Sequence, residues 1–166
     1  EVSSRQGVGS TFTVEIPLLI AEHVQTEEKE KKRKEMDFHG LHVLLAEDND
    51  LNAEIAIALL EEQGMIVTRA VDGKSALTQF CNTDPGTFDL ILMDIMMPEM
   101  NGYETTKAIR NLPERLDGKE IPIIAMTANA FAEDVQAALN AGMDDHVAKP
   151  VDMSILISVI TKHIER

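Results

Sequence analysis

The sequence predicts an α/β fold in which a doubly wound, five-stranded parallel sheet, (βα)5, carries helices on both faces. Three observations lead there. From Gly40 onward, short apolar runs alternate regularly with amphipathic stretches. The run FDLILM is apolar almost throughout, as a central parallel strand covered on both faces must be. Glycines stand where helical patterns stop, at Gly64 and Gly142.

The elements follow in chain order. Residues 1–20 include GVGSTFTVEIPLLI, where Thr11, Thr13 and Glu15 alternate with Phe12, Val14 and Ile16, so a strand follows a Gly-rich turn. Residues 21–38 hold the charge run EEKEKKRKE, whose mixed signs and missing apolar stripe predict a solvated linker. The repeating region occupies residues 39–166 and opens with an apolar strand at 41–46. Leu51, Ile55, Ala58 and Leu59 fall at i, i+4, i+7 and i+8 and give a helix one apolar face. A second strand is expected at 65–70, a short helix at 73–81, the central strand at 88–93 and a helix at 102–110. The fourth strand is IPIIAM at 121–126; Phe131, Val135, Ala138 and Leu139 then mark a helix. A short fifth strand at 145–148 precedes a final helix carrying Leu156, Val159, Ile160 and His163. Parallel strands joined by helices require right-handed crossovers, and ligands then bind beyond the carboxyl ends of the strands.

Composition narrows the function. The chain has 166 residues, which suits one domain of about 100–150 residues and an extra segment. Hydrophobic residues make up 44% and aromatics only 4%, without Trp, so the core must rest on Ile, Leu, Val, Met and Ala. A net charge of −14 argues against nucleic acid and against an anionic membrane surface as partners. Cys81 is the single cysteine; it rules out an internal disulfide and is compatible with a reducing, cytoplasmic setting. No apolar run approaches the ~20 residues of a membrane span, and no signal peptide is recognisable. The chain begins without Met and in mid-pattern, so a piece of a longer protein is expected, whose parent could itself be membrane-anchored.

The residues at the strand ends form a constellation. Glu47 and Asp48 follow the first strand of the repeating region, Asp94 the third, Thr127 and Ala128 the fourth, and Lys149 and Pro150 the fifth. Three carboxylates, a hydroxyl and an ammonium therefore converge on one sheet edge. Like charges ~5 Å apart repel by about 3 kcal/mol at an effective dielectric of ~20, a large sum beside a domain stability of roughly 5–15 kcal/mol. Lys149 offsets some of it, and a divalent cation would offset more. All-oxygen donors without His or Cys favour Mg²⁺, or Mn²⁺ in its place. Mg²⁺ takes only one or two carboxylates and keeps waters, which leaves Asp94 free as a nucleophile toward phosphorus. Neutralising the transferring phosphoryl oxygens would fall to the metal, to Lys149 and to the Thr127 hydroxyl.

LLAEDN, LILMDIMMPEMNGYE, IIAMTANA and DDHVAKP together resemble the receiver domain of two-component response regulators. The resemblance implies a flavodoxin-like fold with Asp94 as phosphoacceptor. It makes Asp48 the direct Mg²⁺ ligand, Glu47 an acid reaching the metal through water, and Met96 the donor of a backbone carbonyl to it. It assigns Thr127 as the switch hydroxyl, Lys149 as the phosphate-pairing lysine and His146 to the switch position usually held by Tyr or Phe. It also implies a cis Lys149–Pro150 bond. SSRQGVGSTFTVEIPL resembles the last β-hairpin of a histidine-kinase ATP-binding domain, so residues 1–20 are expected to be the C-terminal remnant of one, 21–38 a linker and 39–166 the receiver of a hybrid sensor kinase. The implied partners are the kinase domain that carries the phosphohistidine and a histidine-containing phosphotransfer domain.

Taken singly, each residue has a plainer reading. Glu47–Asp48 could favour a helix N-terminus, Asp94 a turn, Thr127 a cap and Lys149 a solvated surface; their joint placement at four strand ends makes coincidence a poor account. Gly73-Lys74-Ser75 ends like a P-loop, but the first glycine of that pattern is replaced by Thr68. The methionines near Asp94 (Met93, Met96, Met97 and Met100) read as core and rim packing. An aspartyl-phosphate phosphatase of the haloacid dehalogenase type needs an acid two residues after the nucleophile, where Met96 stands. A receiver serving only as an unphosphorylated docking module should lack Asp94, Asp48 or Lys149, and all are present. The chain holds no kinase phosphoacceptor-histidine motif, so it is not expected to phosphorylate itself from ATP.

Overall fold

In the computed structural model of the protein, the described residues are 2–5, 7, 9–15, 37–128 and 132–164. They belong to two compact units, residues 1–35 and 36–166. In the first, β1 (Val2–Arg5) pairs antiparallel with β2 (Gly9–Phe12), setting Val2 opposite Phe12. The turn between them uses Gly7 at φ 79° and Gly9 at φ 133°, conformations that favour glycine. Every residue of both strands is exposed. The regular strand ends at Phe12 rather than continuing through Glu15. Ile16, the charge run and Phe131 lie outside the described residues.

The second unit is a (βα)5 sheet with one additional short helix. Its elements are β3 (His42–Ala46), α1 (Asp50–Glu62), β4 (Ile66–Ala70), α2 (Gly73–Asn82), β5 (Leu90–Asp94) and α3 (Gly102–Arg110). There follow α4 (Asp117–Glu120), β6 (Ile123–Thr127), α5 (Ala132–Ala141), β7 (Asp145–Ala148) and α6 (Met153–Ile164). The strand order is β4-β3-β5-β6-β7 and every pairing is parallel. The chain runs outward from β3 to β4 and returns on its other side to β5, so the switch point lies between β3 and β5.

The sheet divides the apolar interior in two. Alternate residues of β5 serve both halves: Ile91 and Met93 pack with Phe80, Ile109 and Ala138 from α2, α3 and α5. Leu90 and Leu92 pack with Ala56, Leu60, Leu156 and Ile160 from α1 and α6. Phe38, expected in the linker, is buried against this second half.

Helix α1 buries a different stripe from the one its periodicity marks. The stripe of Leu51, Ile55, Ala58 and Leu59 is not the sheet-facing one; Ala53, Ala56 and Leu60 are buried instead, while Leu51 is 65% exposed and Ile55 51%. The helix is apolar on two sides. Small side chains let its axis lie close over the sheet, so the Ala53–Ala56 side is the one pressed down.

Helix α4 was not expected, because LPERLDGKE reads as turn-forming sequence. It is held from outside by Arg115, which is buried, stacks 4.2 Å above the Phe80 ring and donates to the carbonyls of Phe80 and Thr83 (2.8 Å for the latter). Arg115 also grips both oxygens of Asp117, whose carboxyl is held down at about 2 mainly by that bond. Arg110, the last residue of α3, acts as a second tie. Its guanidinium donates to the carbonyls of Gly118, Ile121 and Gly142 at 2.8–2.9 Å and to Asp144 at 2.7 Å, binding the end of α5 to α3.

Candidate functional site

Asp94 is the last residue of β5, between β3 and β6, and is 5% exposed. The strand expected at 88–93 ends one residue later than its apolar run, which places the carboxylate within the sheet's hydrogen bonding. Asp94 Oδ1 accepts from the Met96 backbone N–H at 3.1 Å. Asp94 Oδ2 lies 2.7 Å from Lys149 Nζ. Lys149 reaches it from the segment after β7, where its own N–H donates to the Thr127 carbonyl at 2.7 Å and the Lys149–Pro150 bond is cis.

Lys149 Nζ also donates to Glu47 Oε2 at 2.6 Å. Glu47 is 2% exposed, and its other oxygen accepts from Asn52 Nδ2 at 3.0 Å. Asp48 is exposed beside it, and ligand oxygens of Glu47, Asp48 and Asp94 lie within 4.8 Å of one another. Burial pushes the Asp94 carboxyl above the usual carboxylate range, against the downward pull of Lys149 and the Met96 N–H and with added repulsion from Glu47. Burial also works against the Lys149 ammonium, but hydrogen bonds and charge from Asp94 and Glu47 together raise its pKa.

The expected residues thus separate into two groups. Glu47, Asp48, Asp94 and Lys149 form one cluster. Thr127 is buried at the end of β6, next to β5 in the sheet. Met96 follows Asp94 with its side chain 76% exposed, so it is neither core nor rim packing; its backbone is what meets the site. Met93 and Met97 are buried as expected. His146 lies on β7 opposite Ala125, half-buried, with Asp145 Oδ1 at 3.8 Å.

The donor set suits a hard divalent cation. It offers three carboxylates and neither imidazole nor thiolate, and its one lysine bonds two of the three acids. Such a set matches Mg²⁺ or Mn²⁺ rather than zinc.

Three supporting residues were not singled out from the sequence. Asn52 holds Glu47 from the first turns of α1; its place five residues after the acid, just inside a helix, was a usable signal. Arg69 donates to the Glu47 carbonyl from β4, the one charged residue in that strand. Gly102 opens α3 directly against Asp94, where a Cβ would collide with the Asp94 carbonyl oxygen. Contacts between distant backbone segments leave no pattern in a linear sequence.

Known proteins share this fold. The profile of the response regulator receiver domain matches residues 43–161. The aerobic respiration control sensor protein ArcB of Escherichia coli is 40% identical over 163 residues, 97% of this chain. The chain spans only 20% of that relative's length. The receiver domain of a Pseudomonas aeruginosa sensor histidine kinase, solved with a magnesium ion coordinated in its active-site cleft, superposes with a TM-score of 0.68. It is 36% identical, and the match covers 76% of this chain and 99% of that one. A receiver domain co-crystallised with the Saccharomyces cerevisiae histidine phosphotransfer protein Ypd1 gives a TM-score of 0.66 at 28% identity, covering 76% and 90%.

Proposed function

Because the chain belongs to the response regulator receiver domain family, we propose that it accepts a phosphoryl group on Asp94 from the phosphohistidine of a hybrid sensor kinase and passes it to a histidine-containing phosphotransfer domain. The observation that carries this reading is the buried Asp94, paired with the half-buried Lys149 and grouped with the carboxylates of Glu47 and Asp48. Asp94 attacks phosphorus, its O–P bond forms as the N–P bond to the donor imidazole breaks, and the imidazole leaves as the product. Lys149, already 2.7 Å from Asp94, pairs with the negative charge delivered to that oxygen. The Thr127 hydroxyl is assigned to the arriving phosphoryl group as the switch, with His146 as its partner position on β7. Asp48, Glu47, Asp94 and the Met96 carbonyl would hold Mg²⁺, which when bound shields the phosphoryl oxygens. Phosphorylation then shifts the population between two states of the surface around α5 and β7.

Delivery needs a face that a phosphohistidine-bearing helix can approach. The exposed Leu51–Ile55 stripe of α1 adjoins a cleft of about 340 Å³ lined by Ile55, Met126, Pro150 and Val151, with Glu47 and Lys149 at its polar end. An apolar helix face seated there would bring its histidine to Asp94. Residues 1–20 are assigned to the end of the kinase's ATP-binding domain and 21–38 to a linker, so the donor belongs to the same protein, in the cytoplasm. Among the described residues, no helix is long and apolar enough to cross a membrane.

Phosphoramidate with Mg²⁺ tests the acceptor. A mass gain of about 80 Da, one phosphoryl group, is expected for the wild type and not for Asp94→Asn or in excess chelator. Labelling that persists in Asp94→Asn overturns the assignment.

A further inference from the structure

We infer that Arg69 is a positioning residue for the acidic loop that follows β3, setting the direction in which Asp48 meets Mg²⁺. The inference rests on the reading of Asp48 as a metal ligand. Three contacts support it. Arg69 Nε and a terminal guanidinium nitrogen donate to the Glu47 carbonyl at 3.3 and 3.2 Å. The same terminal nitrogen donates to Asp50 Oδ1 at 2.7 Å, in the first turn of α1. The loop is also fixed from its start, since Glu47 N–H donates to the Ala70 carbonyl at 3.0 Å.

These bonds act on one peptide unit. The Glu47 carbonyl belongs to the peptide plane that leads into Asp48, so a fork gripping that oxygen sets the plane's rotation. Bonds to Glu47 and Asp50 bracket Asp48 on both sides in sequence. Asp48 itself is exposed. Arg69 is in turn fixed, because Gln79 Nε2 donates to its carbonyl at 3.0 Å and its side chain is only 23% exposed. The clamp is therefore anchored in β4 and α2, outside the cluster of site residues.

Charge and position make opposite demands here. As a cation on the peptide unit between Glu47 and Asp48, Arg69 competes with Mg²⁺, so removing its charge alone would tighten metal binding. As a clamp, it supports binding, and outer residues that orient ligands typically matter by about tenfold or more in metal affinity. The bidentate contact with the Glu47 carbonyl favours the clamp, since a lysine could supply the charge but not the fork.

Calorimetric Mg²⁺ titration of the whole chain decides the matter, using Arg69→Met, Arg69→Lys and Asp50→Asn. About tenfold weaker Mg²⁺ binding is expected in both arginine variants, and a smaller loss in Asp50→Asn. With phosphoramidate, the half-saturating Mg²⁺ concentration should rise by the same factor while the limiting rate falls less than twofold. Should Arg69→Met fail to fold, Arg69→Lys, which keeps the charge and the length, carries the test. Wild-type affinity in Arg69→Lys, or tighter binding in Arg69→Met, overturns the inference. If the wild type binds no Mg²⁺, or Asp48→Ala leaves binding unchanged, the metal-site reading fails and the inference fails with it.

Discussion

Replacing Lys149 with Met removes the ammonium that bonds both Glu47 and Asp94 at 2.6 and 2.7 Å. The two acids stay buried, with ligand oxygens within 4.8 Å. Two unit charges at that separation repel by about 3 kcal/mol at an effective dielectric of ~20. The variant should lose about that much stability at neutral pH in chelator, in line with about 3–5 kcal/mol for breaking a buried ion pair. The deficit must depend on pH. The folded-state pKa of Asp94 already lies above its ordinary 3.8, so its protonated form is favoured by folding and stability falls as pH rises from 3.8 through the folded value. Without Lys149 that folded pKa climbs further, and the fall extends toward neutrality. Urea unfolding in chelator between about pH 5 and 8 reads this directly, with a gap between variant and wild type that widens with pH. Adding Asp94→Asn removes one of the two like charges and should restore most of the loss. Equal stabilities at about pH 7.5, or a gap indifferent to pH, would refute the reasoning.

Asp48→Ala should weaken Mg²⁺ binding more than Glu47→Ala in calorimetry, because Asp48 is exposed and Glu47 has both oxygens bonded, to Asn52 and Lys149. Glu47→Ala should cost about tenfold, as the loss of an outer partner does. Leu51→Asp with Ile55→Asp should leave phosphoramidate labelling and unfolding nearly unchanged, since both side chains are exposed, but slow transfer from a phosphohistidine donor about tenfold or more. Equal donor rates would remove α1 from the docking face. Burial pushes the half-buried Asp145 carboxyl up, yet hydrogen bonds from Lys162 and His163 outweigh it and bring the group to about 2. That bonding stabilises the fold above the ordinary 3.8 and is lost as pH falls toward about 2, so Asp145→Asn should unfold more easily at about pH 6 and converge with the wild type in acid.

The sheet was legible because its signals are local. Parallel strands covered on both faces read as apolar runs, and β7 and α3 fall where periodicity puts them. The carboxylate cluster was legible for a related reason: every strand of a parallel sheet ends on the same edge, so reading the next residue in each case collects the site. What periodicity left open was which of the two apolar sides of α1 is buried. Periodicity shows that Leu51 and Ile55 share a face, but only the neighbouring sheet decides that Ala53 and Ala56 are pressed down. Arg69 and Asn52 were missed because their work is done across 22 residues in one case and inside a helix start in the other. His146 is placed by the family resemblance alone; on β7 it lies opposite Ala125, with Asp145 Oδ1 at 3.8 Å.

The division of the apolar interior by the sheet has a consequence for traffic. Helices α1 and α6 share one half, and α2, α3 and α5 the other. A protein seated on α1 covers one side of the domain and leaves α5 uncovered on the far side. Under the proposed transfer to Asp94, a donor on α1 and a reader on α5 would occupy different faces of the receiver unit. The order of those two encounters would then be set by the lifetime of the phosphoryl bond proposed on Asp94.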